Sequence, residues 1–162
     1  FARSDAWVEE SWSVRASPGE LRAAFAGWCE PVTTILDVVA ERECFRWGLF
    51  SRQPLDTLVR DHVVLIGDAA HPMLPFFGQG ASSAIEDAVI LARCFVQASS
   101  PSEAVAMFDR ARRQRVTFLQ QESNLGADRL QGIDPYALRD QPVKNEDALG
   151  IFSYDPATVE LS

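Results

Sequence analysis

The chain has 162 residues, 47% hydrophobic and 10% aromatic, enough to build the core of about one domain and too apolar for a disordered segment. Its 15 basic residues against 23 acidic ones leave a net charge of -8, which argues against a nucleic-acid partner. No apolar run approaches the roughly 20 residues of a membrane helix and no signal peptide is visible, so no membrane partner is expected.

Three widely spaced cysteines, Cys29, Cys44 and Cys94, form no disulfide framework and point to a reduced, cytoplasmic compartment. The two histidines have no Cys/His spacing typical of a structural zinc site, so no metal is expected. The first residue is Phe1 rather than methionine, and the chain is read as a piece of a longer one.

Residues 7–15 alternate bulky and polar side chains and predict a strand with Val8, Trp12 and Val14 on one face. Ser17-Pro18-Gly19-Glu20 then combines a serine cap, an early proline and a glutamate three residues after the cap, the signature of a helix start. That helix is expected to bury Leu21, Ala24, Phe25 and Trp28. After Pro31, residues 32–40 read as a second short helix, and 43–51 as a strand carrying Phe45, Trp47 and Phe50. Arg46 and Trp47 face either strand packing or a substrate pocket. Arg52-Gln53-Pro54 turns the chain into the run 62–66, His62-Val63-Val64-Leu65-Ile66, which reads as a strand buried on both faces and hence as part of a parallel sheet. His62 opens it as a surface residue.

A loop with Pro72, Pro75, Gly78 and Gly80 leads into a helix over about 80–96, with Ala81, Ala84, Ile85, Ala88, Leu91, Ala92 and Phe95 at helical spacing on its buried side. Ser100-Pro101-Ser102-Glu103 repeats the capping pattern, and a long helix follows to about 128. Its cluster Arg110, Arg112, Arg113 and Arg115 reads as a solvated, salt-bridged face with Asp109 nearby. Glu86 and Asp87 are accounted for by the positive end of their own helix. The tail from Gln131, with Pro135, Pro142 and Pro156, reads as an irregular wrap anchored by Tyr136, Phe152 and Tyr154.

The stretch from Gly67 to Ser82 carries the chemistry. A strand ending at Gly67 sets the Asp68 carboxylate at its carboxyl edge, where open α/β sheets bind ligands. Gly78 and Gly80 let the main chain come close to a ligand just before a helix begins. The amides near Ala81 and Ser82 lack intrahelical acceptors and sit at the positive end of the helix dipole. A carboxylate for hydroxyls and a helix end for negative charge suit a ligand with a polyol near one end and an electron-accepting ring near the other, as in a flavin with its ribityl chain. Taken singly, Gly-Asp is commonly just a turn and Gly-x-Gly is weak. Gly78-Gln79-Gly80-Ala81-Ser82-Ser83 is not a dinucleotide fingerprint, because the third glycine is missing and a long loop precedes it. His71 reads as a structural hydrogen-bonding residue rather than a proton carrier. Met73, Leu74, Phe76 and Phe77 read equally as core or as an apolar wall beside a planar ligand.

As a whole, Gly67-Asp68-Ala69-Ala70-His71, Pro75, Gly78-Gln79-Gly80 and Ala84-Ile85-Glu86-Asp87-Ala88 resemble the second flavin-binding motif of single-component FAD-dependent aromatic hydroxylases, in the salicylate hydroxylase and 6-hydroxynicotinate monooxygenase-like branch. The segments 45–54 and 21–28, the arginine-rich helix and Tyr154-Asp155-Pro156 extend the resemblance over nearly the whole chain. It implies an α/β fold, the carboxyl-terminal portion of a two-domain FAD-binding, glutathione-reductase-like arrangement of Rossmann type, with helices dominating this part. It divides the chain into the end of a substrate-binding region at 1–52, the flavin-motif strand, loop and helices at 53–130, and the tail at 131–162.

By the same resemblance, Asp68 after Gly67 would bond the ribityl hydroxyls of FAD. Pro75 would lie beside the flavin and the substrate as the one residue at the reaction centre. Gly78, Gln79 and Gly80 would shape the loop under the ring, and the amides of Ala81 and Ser82 would face the N1–C2 edge. Many relatives carry asparagine where Ser82 stands, which a backbone contact tolerates. NADH or NADPH would reduce the flavin, and an oxygen atom from O2 would pass to a small phenolic or hydroxypyridine substrate. The glycine-rich βαβ unit for the ADP half of FAD is not in this sequence, so a missing amino-terminal segment is the implied partner, and the chain by itself is expected to be inactive. Another FAD oxidoreductase on the same scaffold, or a silent domain that has lost its cofactor half, are the alternatives.

Overall fold

A computed structural model of the chain describes residues 13–39, 44–131, 147 and 149–161, with side chains to residue 126 in the last helix. The chain divides into two compact units, Phe1–Leu49 and Phe50–Ser162. It is rich in helix, with few and short strands.

In the first unit, β1 (Val14–Arg15) pairs antiparallel with β2 (Phe45–Arg46), Val14 opposite Arg46 and Arg15 opposite Phe45. The strand expected over 7–15 is seen only at this end, since Val8 and Trp12 lie outside the described residues. Between the strands come α1 (Pro18–Ala24) and α2 (Glu30–Asp37). The capping box forms as the sequence predicts: the Glu20 amide donates to Ser17 Oγ at 3.1 Å and the Ser17 amide to Glu20 Oε2 at 2.8 Å. The backbone bond at Ser17 and nearby Arg46 hold the Glu20 carboxyl below the usual range. Ser17→Ala is expected to weaken this turn by about 1 kcal/mol, seen as roughly fivefold faster hydrogen exchange at the Glu20 amide. The helix is shorter than its apolar spacing implies. It ends at Ala24, which is exposed, and Phe25 and Trp28 meet edge-on beyond it with Trp28 largely exposed. Arg46 bonds Glu20 at 3.3 Å, which ties β2 to the first turn of α1.

The second unit begins with a hairpin. Strand β3 (Val59–Arg60) pairs antiparallel with β4 (Val63–Val64) across a two-residue turn in which Asp61 adopts a left-handed φ of 54°. This corrects the expected strand over 62–66: it is short, its partner is antiparallel, and Val63 is 62% exposed. An apolar β-branched run favours extended backbone, but strand length depends on a neighbour to share hydrogen bonds. Among the described residues only the hairpin partner supplies them.

Helix α3 (Gly80–Gln97) and helix α4 (Pro101–Gln131) pack against each other and form most of the unit. Both starts match the sequence. The Glu103 amide donates to Ser100 Oγ at 3.2 Å, and the returning carboxylate takes the Ser99 amide at 2.7 Å. Leu58, Ala70, Ile90, Cys94, Ala104, Phe108 and Val116 make the core. Asp109 fastens the hairpin to α4 by accepting from the Leu58 amide at 2.6 Å.

The buried face of α3 is not the one its apolar spacing marks. Ser83, Glu86, Asp87, Ile90 and Cys94 are buried, whereas Ala81, Ala88 and Ala92 are exposed, with Ile85 66% and Phe95 51% exposed. Charged partners on α4 make the polar face the inner one. The tail wraps back as expected at its end, with Arg93 donating to the Pro156 and Val159 carbonyls at 2.7 and 2.8 Å. Tyr154 packs under two arginines, while Phe152 is exposed. Pro135, Tyr136 and Pro142 lie outside the described residues.

Candidate functional site

After β4 the chain extends through Leu65 and Ile66 and then makes a single 3-10 turn, Gly67–Ala69. Asp68 therefore stands on a turn beyond the strand rather than at its last residue. Gly67 has a φ of +56°, in the left-handed region, and a Cβ there would meet the Ala84 Cβ at 3.3 Å. Glycine thus serves both the turn and the close approach of the turn to the second turn of α3. Asp68 is the residue that follows this contact with the second turn of α3. Asp68 is exposed, and among the described residues its carboxylate has no hydrogen-bond partner.

A second 3-10 turn, Pro75–Phe77, closes on Gly78 at φ 64°, ψ 15°. A Cβ on Gly78 would find nothing within 4 Å, so the space above this position is open. Gln79 precedes α3 without capping it by its side chain, and the first helical bond runs from the Ser83 amide to the Gln79 carbonyl at 2.9 Å. The amides of Gly80, Ala81 and Ser82 come before that bond and have no intrahelical acceptor. Ala81 and Ser82 are exposed. Asp68, Pro75, Gly78, Ala81 and Ser82 are thus each exposed, while Gly67 is buried and Gln79 and Gly80 are half-buried.

The inner side of the loop is tied down residue by residue. Arg52 donates to the Ala69 and Ala70 carbonyls, and Gln120 of α4 to the Pro72 carbonyl at 2.9 Å. Asn124 accepts from the Leu74 amide at 3.3 Å, and Ser123 lies 3.5 Å from the Met73 sulfur. Met73, Leu74, Phe76 and Phe77 are half-buried, intermediate between the two readings the sequence left open.

Beneath the loop lies a charged network that the sequence reading did not anticipate. The Asp87 carboxylate accepts from the Gly67 amide at 2.9 Å and from Arg112 Nε at 2.8 Å, and meets His71 Nε2 at 2.7 Å. Burial pushes the Asp87 carboxyl up, but these three hydrogen bonds and the Arg112 charge outweigh it and hold it below the ordinary aspartate value. Arg112 also pairs with Glu86 at 2.8 Å, and Arg115 grips the same carboxylate with two bonds of 2.8 Å. The Arg115 guanidinium lies 3.8 Å from the centre of the Tyr154 ring.

Arg112 and Asp87 are both 0% exposed, so the expected solvated arginine face is corrected: Arg113 is exposed, but Arg112 is a core residue. Desolvation opposes the Arg112 charge, and its carboxylate partners more than restore it. A helix-end preference does not account for Glu86 and Asp87, which are held by cations of the next helix. The available sequence signal was an adjacent acidic pair on one helix and arginines three apart on the next, joined by a short connection. His71 has the structural place expected of it, with a side-chain carboxylate as its partner.

The residues present suit a flavin. The exposed positions of the loop offer one carboxylate acceptor for hydroxyls, bare helix amides for negative charge, and an open glycine in the sequence between them. The comparisons agree. The FAD binding domain family model matches residues 30–123. The 6-hydroxynicotinate 3-monooxygenase of Pseudomonas fluorescens is 36% identical over 160 residues, covering 98% of this chain and 36% of that enzyme. The salicylate hydroxylase of Pseudomonas putida is 37% identical over 148 residues, 88% of this chain and 32% of the enzyme. Among solved structures, CtdE in complex with FAD and a substrate superposes with a TM-score of 0.78 at 28% identity, over 95% of this chain and 39% of that one.

The chain belongs to the FAD binding domain family. The curated relatives it resembles are named as monooxygenases and hydroxylases of small aromatic compounds, and its cofactor is FAD, as the motif between Gly67 and Ser82 implied. It spans about a third of the length of the curated relatives it matches. No helix among the described residues is long and apolar enough to cross a membrane.

Proposed function

We propose that this chain supplies the ribityl and isoalloxazine side of the FAD site in an NAD(P)H-dependent monooxygenase that hydroxylates a small phenolic or hydroxypyridine ring. FAD, once bound, supplies the electron and oxygen chemistry. Asp68 accepts hydrogen bonds from the ribityl hydroxyls, and the amides of Ala81 and Ser82 stabilise negative charge at the pyrimidine edge of the ring. Gly78 leaves the space in which the ring lies. Pro75, exposed on its rigid turn, flanks the ring and the substrate. The observation that carries this reading is the one-sided loop: Asp68, Pro75, Gly78, Ala81 and Ser82 are exposed, while neighbouring residues of the loop are fastened to α3, α4 and Arg52.

The ADP half of the cofactor is held by a preceding glycine-rich unit in this reading, within a two-domain FAD-binding fold. The exposed apolar side of α3, with Ile85 and Phe95, supports it, because a helix of that kind packs on a sheet that the described residues do not provide. The full-length protein, supplied with FAD, is expected to oxidise NADH or NADPH faster in the presence of salicylate, a hydroxybenzoate or a hydroxypyridine, with formation of a hydroxylated product. Turnover with none of these aromatics would remove the substrate class. The 162-residue chain alone is expected to show no micromolar FAD binding in a fluorescence titration, because it lacks the ADP-binding half.

A further inference from the structure

The second half of α4 runs alongside the loop in step with it: Gln120 meets Pro72, Ser123 meets Met73 and Asn124 meets Leu74. The next contact in this series is steric. A Cβ built on Gly126 would lie 2.8 Å from the Phe76 Cβ, closer than side chains approach one another, and 3.9 Å from the Phe76 carbonyl carbon. Phe76 is the middle residue of the turn Pro75–Phe77, whose Gly78 amide closes on the Pro75 carbonyl at 3.2 Å. The helix therefore meets the loop closely at Phe76, the residue after Pro75. Glycine weakens a helix interior, so its presence at 126 has a compensating reason in this approach.

We propose that Gly126 is a positioning residue for the flavin site: by carrying no side chain, it sets how far back the turn Pro75–Phe77 sits, and so the distance of Pro75 from the ring and the substrate. The proposal rests on the flavin reading above. Because protein interiors are close-packed, one added methyl must move Phe76 or the helix, and the turn shifts with Phe76. Asn124 acts in the same sense from two residues earlier in the helix, through the Leu74 amide.

The test compares wild-type full-length flavoprotein with Gly126→Ala and Asn124→Ala. Three quantities are read: hydrogen exchange at the Leu74 and Gly78 amides, the visible spectrum of the bound flavin, and hydroxylated product formed per NAD(P)H consumed. Both variants are expected to exchange these amides about tenfold faster, to alter the flavin absorption band, and to lose coupling severalfold while FAD content and exchange at the Phe108 amide stay unchanged. A merely structural glycine would leave the coupling ratio of the folded, flavin-loaded fraction intact. Unchanged exchange and unchanged coupling in both variants overturn the proposal, and if Gly126→Ala does not fold, Asn124→Ala decides it. A loop loosened by both substitutions in a protein that takes up no FAD would instead overturn the flavin reading and leave Gly126 as the spacer of the turn.

Discussion

Asp87→Ala is expected to destabilise the second unit by about 3–5 kcal/mol, the usual cost of stripping a partner from a buried charge. The substitution leaves the Arg112 guanidinium, at 0% exposure, without its Nε acceptor, and takes away the partner of the Gly67 amide and of His71. Domain stabilities of about 5–15 kcal/mol make this a large fraction of the whole. A urea titration of the full-length protein, followed by far-UV circular dichroism, would show the midpoint fall. A loss under about 1 kcal/mol would mean that Arg112 and Asp87 are not a buried pair. The same carboxylate sets an acid limit. Its folded pKa lies below the ordinary aspartate value of about 3.9, so its contribution is fully present above that value and is lost as pH falls through the folded one. Wild-type stability should therefore drop more steeply below about pH 4 than that of Asp87→Asn, which has no carboxylate to protonate there.

Asp68→Ala is expected to act in the opposite manner, costing little stability and much cofactor. The side chain is exposed and has no partner among the described residues, so its removal disturbs no packing. A hydrogen bond to a charged acceptor is worth about 1.5–3 kcal/mol, so FAD affinity should fall by roughly 10-fold to 100-fold. Flavin retained through ultrafiltration, read as the ratio of visible to ultraviolet absorbance, measures this directly. Retention equal to wild type would assign the ribityl contact to another residue. The two substitutions separate the faces of one loop: Asp87 holds it from within, and Asp68 is the proposed ligand contact from without.

The parts of this arrangement that were legible in the sequence are those written in local chemistry. Ser17 with Glu20 and Ser100 with Glu103 marked helix starts because capping depends on residues within one turn. The Gly67–Ser82 loop was legible because a turn needs glycine at Gly67 and Gly78 whatever surrounds it. What failed was the choice of a helix face. The alanines of α3, with Ile85 and Phe95, outline an apolar side, yet the inward side is Ser83, Glu86 and Asp87, because Arg112 on another helix neutralises the two carboxylates. Periodicity within one element does not register a partner supplied 25 residues later. The run 62–66 failed for a similar reason, since β-propensity marks residues suited to a strand but not how many find a neighbour. Gly126 drew no reading from the sequence, because the Phe76 side chain that meets it lies 50 residues earlier in the chain.

The most direct measurement is a crystal structure of the full-length polypeptide with FAD bound. The account predicts a carboxylate oxygen of Asp68 at about 2.6–3.2 Å from a ribityl hydroxyl, with the N1–C2 edge of the same flavin facing the amides of Ala81 and Ser82. A flavin whose ribityl chain passes Asp68 without contact, or whose pyrimidine edge points away from the start of α3, would contradict it.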